Sequence, residues 1–195
     1  MIQLVHHYYI FLFGMKFMEM FKLTSTLLKQ DSRESAMIKG KFQSMACDLK
    51  DLTVEICALK TFDYENLYMG IEFKNINDFV SSFTEVIIRK DGTRYHRLDS
   101  QVNRMLKSDK LYKILMIYGD LEDLHSGINH NSVRGQVASI FAKGISVIWL
   151  HKGENYPDMI YRLHRKTMKY GKIKSEFKVP IVDNEVEIQA EKVKE

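Results

Sequence analysis

The sequence predicts an α/β protein in which a central sheet is covered by helices on both faces. Three observations carry this. Strand-like and helix-like segments alternate along the whole chain. The later strand segments are continuously apolar, which a strand tolerates only when both its faces are buried. The composition, 45% hydrophobic and 28% charged over 195 residues, is that of an ordinary folded domain with one full core and short extensions.

The elements follow in order. Residues 23–30 read as a strand ending at Asp31, and residues 34–45 as a helix. Within residues 53–59, Val54, Ile56 and Ala58 share one face, as the two-residue strand period requires. Asp63-Tyr64-Glu65-Asn66 reads as a short turn before a strand over residues 67–73. A helix is predicted over residues 76–88 with Asn75 as its cap, and Asp91-Gly92 marks a turn. Residues 95–107 carry a helical pattern, and Ile114, Leu115, Met116 and Ile117 form the centre of a buried strand over residues 113–118. A helix over residues 132–142 is closed by Gly144, another buried strand spans residues 145–150, and a final helix spans residues 157–169 with Gly171 after it. Charge, mostly Lys and Glu, then dominates residues 172–195, although residues 177–182 are apolar enough to dock.

Several classes are excluded. Cys47 and Cys57, the two cysteines, have neither C-x-x-C spacing nor a paired-His companion, which argues against a zinc site and a disulfide framework and suits a reducing interior. The seven histidines form no metal-ligand spacing; His125 and His130 flank a polar loop. The apolar start, around Tyr8 to Phe13, is shorter than the ~20 residues of a membrane helix and lacks a signal peptide's basic start and cleavage site. It reads as a packing segment, or as an over-extended start with Met15, Met18 or Met20 as the true first residue. No membrane is expected. The net charge of +4 permits a polyanionic partner without requiring one.

The chemistry lies in Asp63-Tyr64, followed by Gly70-Ile71-Glu72-Phe73-Lys74-Asn75-Ile76-Asn77-Asp78. On a strand Glu72 and Lys74 point the same way, and Asp63, at the end of the preceding arm, can meet them. Two carboxylates beside a lysine suit magnesium-assisted phosphodiester hydrolysis, because magnesium takes hard oxygen ligands, polarises the phosphate and acidifies water. The backbone carbonyl of Phe73 lies between the two and is a further hard ligand, whatever its side chain. A D…(D/E)-x-K pattern is short, and its plain alternative is a solvated strand edge with neighbouring Glu and Lys.

More of the chain agrees. Asp31-Ser32-Arg33-Glu34 after a strand resembles the D-x-R-E that opens the XPF-type nuclease domain. Val54-Glu55-Ile56 leading to Phe62-Asp63-Tyr64 resembles its strand before G-D-Y, and Glu72-Phe73-Lys74 with Asp78 resembles its E-R-K-x-x-x-D. Arg97-Leu98, Gln101 and Arg104 resemble its R-L-x-x-Q-x-x-R helix; residues 114–120 and 135–150 resemble its later units. The match runs in order from about residue 23 to 170.

The resemblance implies a three-layer restriction-endonuclease-like core: a central mixed sheet of about five to six strands flanked by helices. It divides the chain into an N-terminal extension at 1–22, a nuclease domain at 23–171 and a charged tail at 172–195. It implies Mg2+ or Mn2+, held by Asp63 and Glu72, with Lys74 as the catalytic lysine. Asp31 and Glu34 would line the same cleft, and Asp78 would support it from the following helix. The substrate implied is branched or flapped DNA, cut near a single-strand/double-strand junction in repair or recombination, inside the cell, in the cytoplasm or at the nucleoid. A homodimer or heterodimer through the later strands and helices is implied too.

Three departures stand out. Phe62 replaces the usual Gly, Phe73 replaces the usual Arg, and the sequence as it stands shows neither a tandem helix-hairpin-helix domain after residue 171 nor a helicase domain before the core. A separate DNA-binding or helicase partner is the expected complement. Arg94, Arg97, Gln101 and Arg104 recur at steps that share one helical face beside the apolar stripe Leu98, Val102 and Met105, so Arg97, Gln101 and Arg104, with Arg33, are the candidate DNA contacts. Arg162, Arg165, Lys166 and Lys169 form a second basic face that reads as solvated. The alternative function is a catalytically silent DNA-binding or dimer-partner subunit.

Overall fold

The computed structural model describes residues 26–124 and 127–176. The N-terminal extension, His125 and the segment 177–195 lie outside them, so the expectations placed there have no structural counterpart.

Six strands form one mixed sheet: β1 (Thr26–Asp31), β2 (Leu52–Cys57), β3 (Tyr64–Glu65), β4 (Met69–Asn75), β7 (Tyr112–Tyr118) and β8 (Ser146–Leu150), in the order β2-β1-β3-β4-β7-β8. All are parallel except β3, which runs antiparallel between β1 and β4. A separate hairpin, β5 (Val86–Ile88) with β6 (Arg94–His96), stands apart. Five α-helices complete the described residues: α1 (Ala36–Asp48), α2 (Ile76–Thr84), α3 (Arg97–Lys107), α4 (His130–Ala142) and α5 (Tyr156–Glu176).

The three layers follow from two apolar cores. On one face Leu28, Tyr64, Met69, Ile71, Ile114 and Met116 meet Phe42 of α1 and Ile160 and Tyr161 of α5. On the other Phe62, Leu115 and Ile117 meet Phe79 of α2, Leu98, Val102 and Met105 of α3, and Val133 and Ile140 of α4. Central β4 and β7 are therefore covered on both sides, as their apolar runs predict. Parallel strands also gather their C-terminal ends on one rim of the sheet, where ligands bind in open α/β folds.

Four elements differ from expectation. The helix predicted through residue 88 stops at Thr84, and Val86-Ile87-Ile88 turns instead into the hairpin around Gly92, whose φ of +82° suits glycine. Three successive β-branched residues are stiff at χ1 and favour a strand over a helix end. The next helix accordingly starts at Arg97, leaving Arg94 on β6. Tyr64 and Glu65, read as a turn, are a two-residue strand bridging β1 and β4. The final helix runs through Gly171 to Glu176, because a Cβ at position 171 would stand 2.3 Å from the Tyr68 ring; glycine there permits close packing rather than ending the helix.

Candidate active site

The turn before β3 brings three acidic segments together. The Asp31 amide donates to the Asp63 carbonyl at 2.8 Å, and the Asp63 amide donates to the Ile71 carbonyl at 2.9 Å. Phe73 N–H then donates to Asp63 Oδ2 at 2.8 Å. In a strand the N–H and C=O of one residue leave on the same edge, so the Phe73 carbonyl faces the edge that carries Asp63.

On β4, Met69, Ile71 and Phe73 turn to the α1/α5 face, and Glu72 and Lys74 to the other. Glu72 and Lys74 are 6% and 7% exposed, core positions taken by charged groups. Lys74 Nζ lies 3.2 Å from Glu72 Oε1. Gln101 Nε2 donates to that same oxygen at 2.7 Å. Burial raises the carboxyl of Glu72 despite Lys74. Burial and the neighbouring Glu72 carboxylate push Asp63 up to about 7. Burial, with Asp63 and Asp31 close by, likewise pushes Glu34 up to about 7. Asp31 moves the other way: the Arg33 side chain, bonded to both its oxygens and to the Leu59 carbonyl, holds its carboxyl low.

The structure thus brings Asp31, Glu34, Asp63, Glu72, Phe73 and Lys74 together. Asp78 is exposed at the start of α2, where its amide and carboxylate bond to the Asn75 side chain. Arg33 pairs with Asp31, and its charge also feels Asp63 and Glu72. Arg97 and Arg104 are exposed as expected. Gln101 is not turned outward with them: the helical face it shares with Leu98, Val102 and Met105 is the buried one, so its amide reaches β4. A missed feature is a groove of about 280 Å3 lined by Arg89, Tyr95, Asp99, Ser100, Asn103, Arg104 and Lys107. Arg89 lies 4.6 Å over the Tyr95 ring. Only the hairpin, hidden from a helical reading of residues 76–88, brings these residues together.

Both unusual phenylalanines have partners. Phe62 is 2% exposed and lies over Gly70, where a Cβ would meet the ring at 2.3 Å; the ring gained at one position is matched by the side chain missing at the other. Phe73 packs at 4.8 Å from the Tyr156 ring and 6.3 Å from that of Tyr118, away from Glu72 and Lys74.

The donor set fits a hard divalent cation. It offers two carboxylates and a backbone carbonyl, all oxygen, and the raised carboxyls of Asp63 and Glu72 mark an excess of buried negative charge that a cation relieves. Among the described residues no three His, Cys, Asp or Glu side chains stand close enough to form a metal cage by themselves.

The protein is thus of the mixed α/β class, with two carboxylates and a lysine gathered at its central strands. The model of the ERCC4 domain matches residues 30–163, more than half of the chain. The protein belongs to this family of structure-specific DNA nucleases. Its fold is similar to that of XPF from Aeropyrum pernix, with a TM-score of 0.58 and 19% identity over 72% of this chain and 61% of that one. It is also similar to XPF from Aeropyrum pernix in complex with DNA, with a TM-score of 0.57 and 19% identity over 74% of this chain and 66% of the other. The match therefore spans less than two thirds of either solved chain. No curated protein matches the sequence.

Proposed function

We propose that this protein is a metal-dependent endonuclease that hydrolyses phosphodiester bonds in branched or flapped DNA near single-strand/double-strand junctions. The observation that carries the reading is the convergence of Asp63, Glu72 and Lys74, with raised carboxyls, on one rim of the sheet in a chain of this family. Asp63, Glu72 and the Phe73 carbonyl would hold Mg2+ or Mn2+, which supplies Lewis-acid polarisation of the phosphate and a more acidic water. Lys74, fixed by Glu72, directs a positive charge at the phosphate as negative charge develops on it. Glu34, with its carboxyl near 7, can take the proton of the attacking water at neutral pH. Arg33 keeps Asp31 ionised and oriented beside Asp63.

The DNA would lie along the exposed Arg97 and Arg104 of α3 and the Arg89–Tyr95 groove beside them, where cations meet phosphates and the ring can stack a base. Arg162 and Arg165 are weaker candidates, since they pair with Asp158 and Asp51. A homodimer or heterodimer, a separate DNA-binding or helicase partner, a role in repair or recombination and an intracellular site of action belong to the same proposal. Among the described residues no helix is long and apolar enough to cross a membrane.

The test is to incubate purified protein with Mg2+ or Mn2+ and a panel of flap, fork and four-way junction DNAs. Metal-dependent nicking near the junction is expected. Well-folded protein that binds junctions but cuts none with either metal would favour the silent-subunit reading, to which Phe73 in place of arginine lends its one specific support.

A further inference from the structure

We infer that Gln101 is a positioning residue that sets Glu72 as a one-oxygen ligand and thereby tunes which divalent cation the site accepts; this rests on the nuclease reading above. Gln101 Nε2 and Lys74 Nζ both land on Glu72 Oε1, at 2.7 and 3.2 Å. No donor to Oε2 is found among the described residues. Two donors on one oxygen and none on the other split the carboxylate: Oε1 is occupied within the protein and Oε2 is left for a cation.

The arrangement is held from both sides. Glu72 and Lys74 are buried on β4, which pairs with β3 and β7. Gln101 sits on α3 among Leu98, Val102 and Met105, which are 1–2% exposed and lock the helix onto the sheet. The amide must present nitrogen to Glu72, since its oxygen would face a carboxylate oxygen; that Gln101 oxygen is buried and has no hydrogen-bond partner among the described residues. A buried polar atom without a partner is costly, which argues that the amide is held in place for the bond its nitrogen makes.

Denticity has a chemical consequence. Mg2+ demands near-octahedral coordination, retains waters and takes carboxylates through single oxygens, whereas Ca2+ is larger and readily takes both oxygens of one carboxylate. A glutamate with one oxygen already bonded suits Mg2+ or Mn2+ and disfavours Ca2+. Gln101 is thus a specificity-determining residue acting through Glu72, with no direct contact to DNA.

The experiment compares the natural chain with Gln101→Met, which keeps length and apolar bulk but removes both amide groups, and Gln101→Asn, which keeps the amide on a shorter arm. With a flapped duplex present, free Mn2+ is followed by electron paramagnetic resonance against the duplex alone, and Mg2+ and Ca2+ are added as competitors. We expect Gln101→Met to bind Ca2+ more tightly relative to Mg2+, by roughly tenfold, the size of effect usual for residues that brace a metal ligand. Its affinity for the duplex in EDTA and its thermal midpoint should stay near those of the natural chain. Loss of duplex affinity in EDTA with unchanged Mg2+/Ca2+ competition would overturn the inference and make Gln101 a DNA contact. If Gln101→Met does not fold, the decision passes to Gln101→Asn, where an unchanged ratio overturns it and a shifted one supports it. Metal uptake without cleavage by the natural chain defeats the nuclease reading but leaves the competition result decisive for Gln101. No metal uptake at all defeats both.

Discussion

Among the described residues, the buried polar cluster around His164 and the one around Lys74 are built on opposite terms. At one end of the sheet, His164 is 0% exposed, with Nε2 at 2.6 Å from Thr26 Oγ1 and Nδ1 at 3.0 Å from Asn66 Nδ2. Asn66 Nδ2 also donates to Thr167 Oγ1, Thr167 donates to the Leu163 carbonyl, and Thr26 donates to the Asp51 carbonyl. With the proton on Nε2, every group there is satisfied and uncharged; burial lowers the imidazole to about 4, so it stays neutral. At the other end, Asp63, Glu72 and Glu34 hold raised carboxyls around one buried lysine. A closed, neutral network pins α5 to β1 and to the turn before β4. An open one with raised carboxyls costs stability, a cost that the proposed metal would relieve. Burial alone does not mark function; the state in which burial leaves the polar groups does.

The largest effect should come from breaking the open cluster. Lys74→Ala is expected to lower turnover about 10²–10³-fold, the scale for losing one preorganised charge at the reacting centre, with little change in DNA affinity. Single-turnover cleavage and fluorescence anisotropy separate the two, and unchanged turnover would remove Lys74 from the mechanism.

Breaking the closed cluster should do the reverse. His164→Ala is expected to cost about 2–4 kcal/mol by orphaning Thr26 and Asn66 in the core. Denaturant melts report that loss, while the specific activity of the folded fraction should hold. The pH dependence sharpens the contrast. His164 has its folded pKa below the unfolded value, so the unfolded chain binds the extra proton; its contribution is present above about 6.5 and is lost as pH falls towards about 4. Asp63 has its folded pKa raised to about 7, so the folded chain binds the extra proton and the site becomes more destabilising as pH rises from about 4 to 7.

Asp63→Asn should therefore inactivate the protein yet stabilise it at pH 8 without metal, by about 1 kcal/mol, as trade-offs between stability and function do. Added Mg2+ should raise the melting temperature of the natural chain and not of this variant. A variant that melts lower than the natural chain would mean that Asp63 is structural. On the exposed face, Arg97→Ala with Arg104→Ala should reduce the slope of log affinity against log salt by about 1.8, two phosphate contacts' worth; an unchanged slope would make this a merely solvated face.

The smallest effect is expected at Phe73. Its ring packs on Tyr156 and Tyr118, so Phe73→Arg can stack a guanidinium on the same rings without touching Glu72 or Lys74, and turnover should stay close to that of the natural sequence. Restoration of cleavage by this substitution in an otherwise inactive chain would instead establish the silent-subunit reading.

Much of this was legible in the residues in order. The alternation of periods located the strands and helices, and the spacing of Glu72 and Lys74 placed them on one face of β4, because strand geometry sets facing from separation alone. Asp63 beside them was legible for the same reason, being only a turn away. The helix read through residue 88 was not, since Val86-Ile87-Ile88 suits either element until a partner strand is present to pair with it. The same ambiguity conceals the Arg89–Tyr95 groove. The helical wheel offers Gln101 as a DNA contact because it keeps step with Arg97 and Arg104, but it keeps step equally with Leu98 and Met105, and the wheel does not say where the boundary between the two faces falls.

By itself, then, the sequence determined which chemical groups the site has and which elements carry them, because those facts depend on neighbours a few residues apart. Only the tertiary structure decided that Gln101 meets Glu72 across 29 residues of sequence, that Phe62 fills the space above Gly70, and that one buried polar cluster is closed while the other stays open. Those outcomes turn on which side chains meet between elements distant in sequence and how many donors reach each oxygen, and local periodicity carries no record of either.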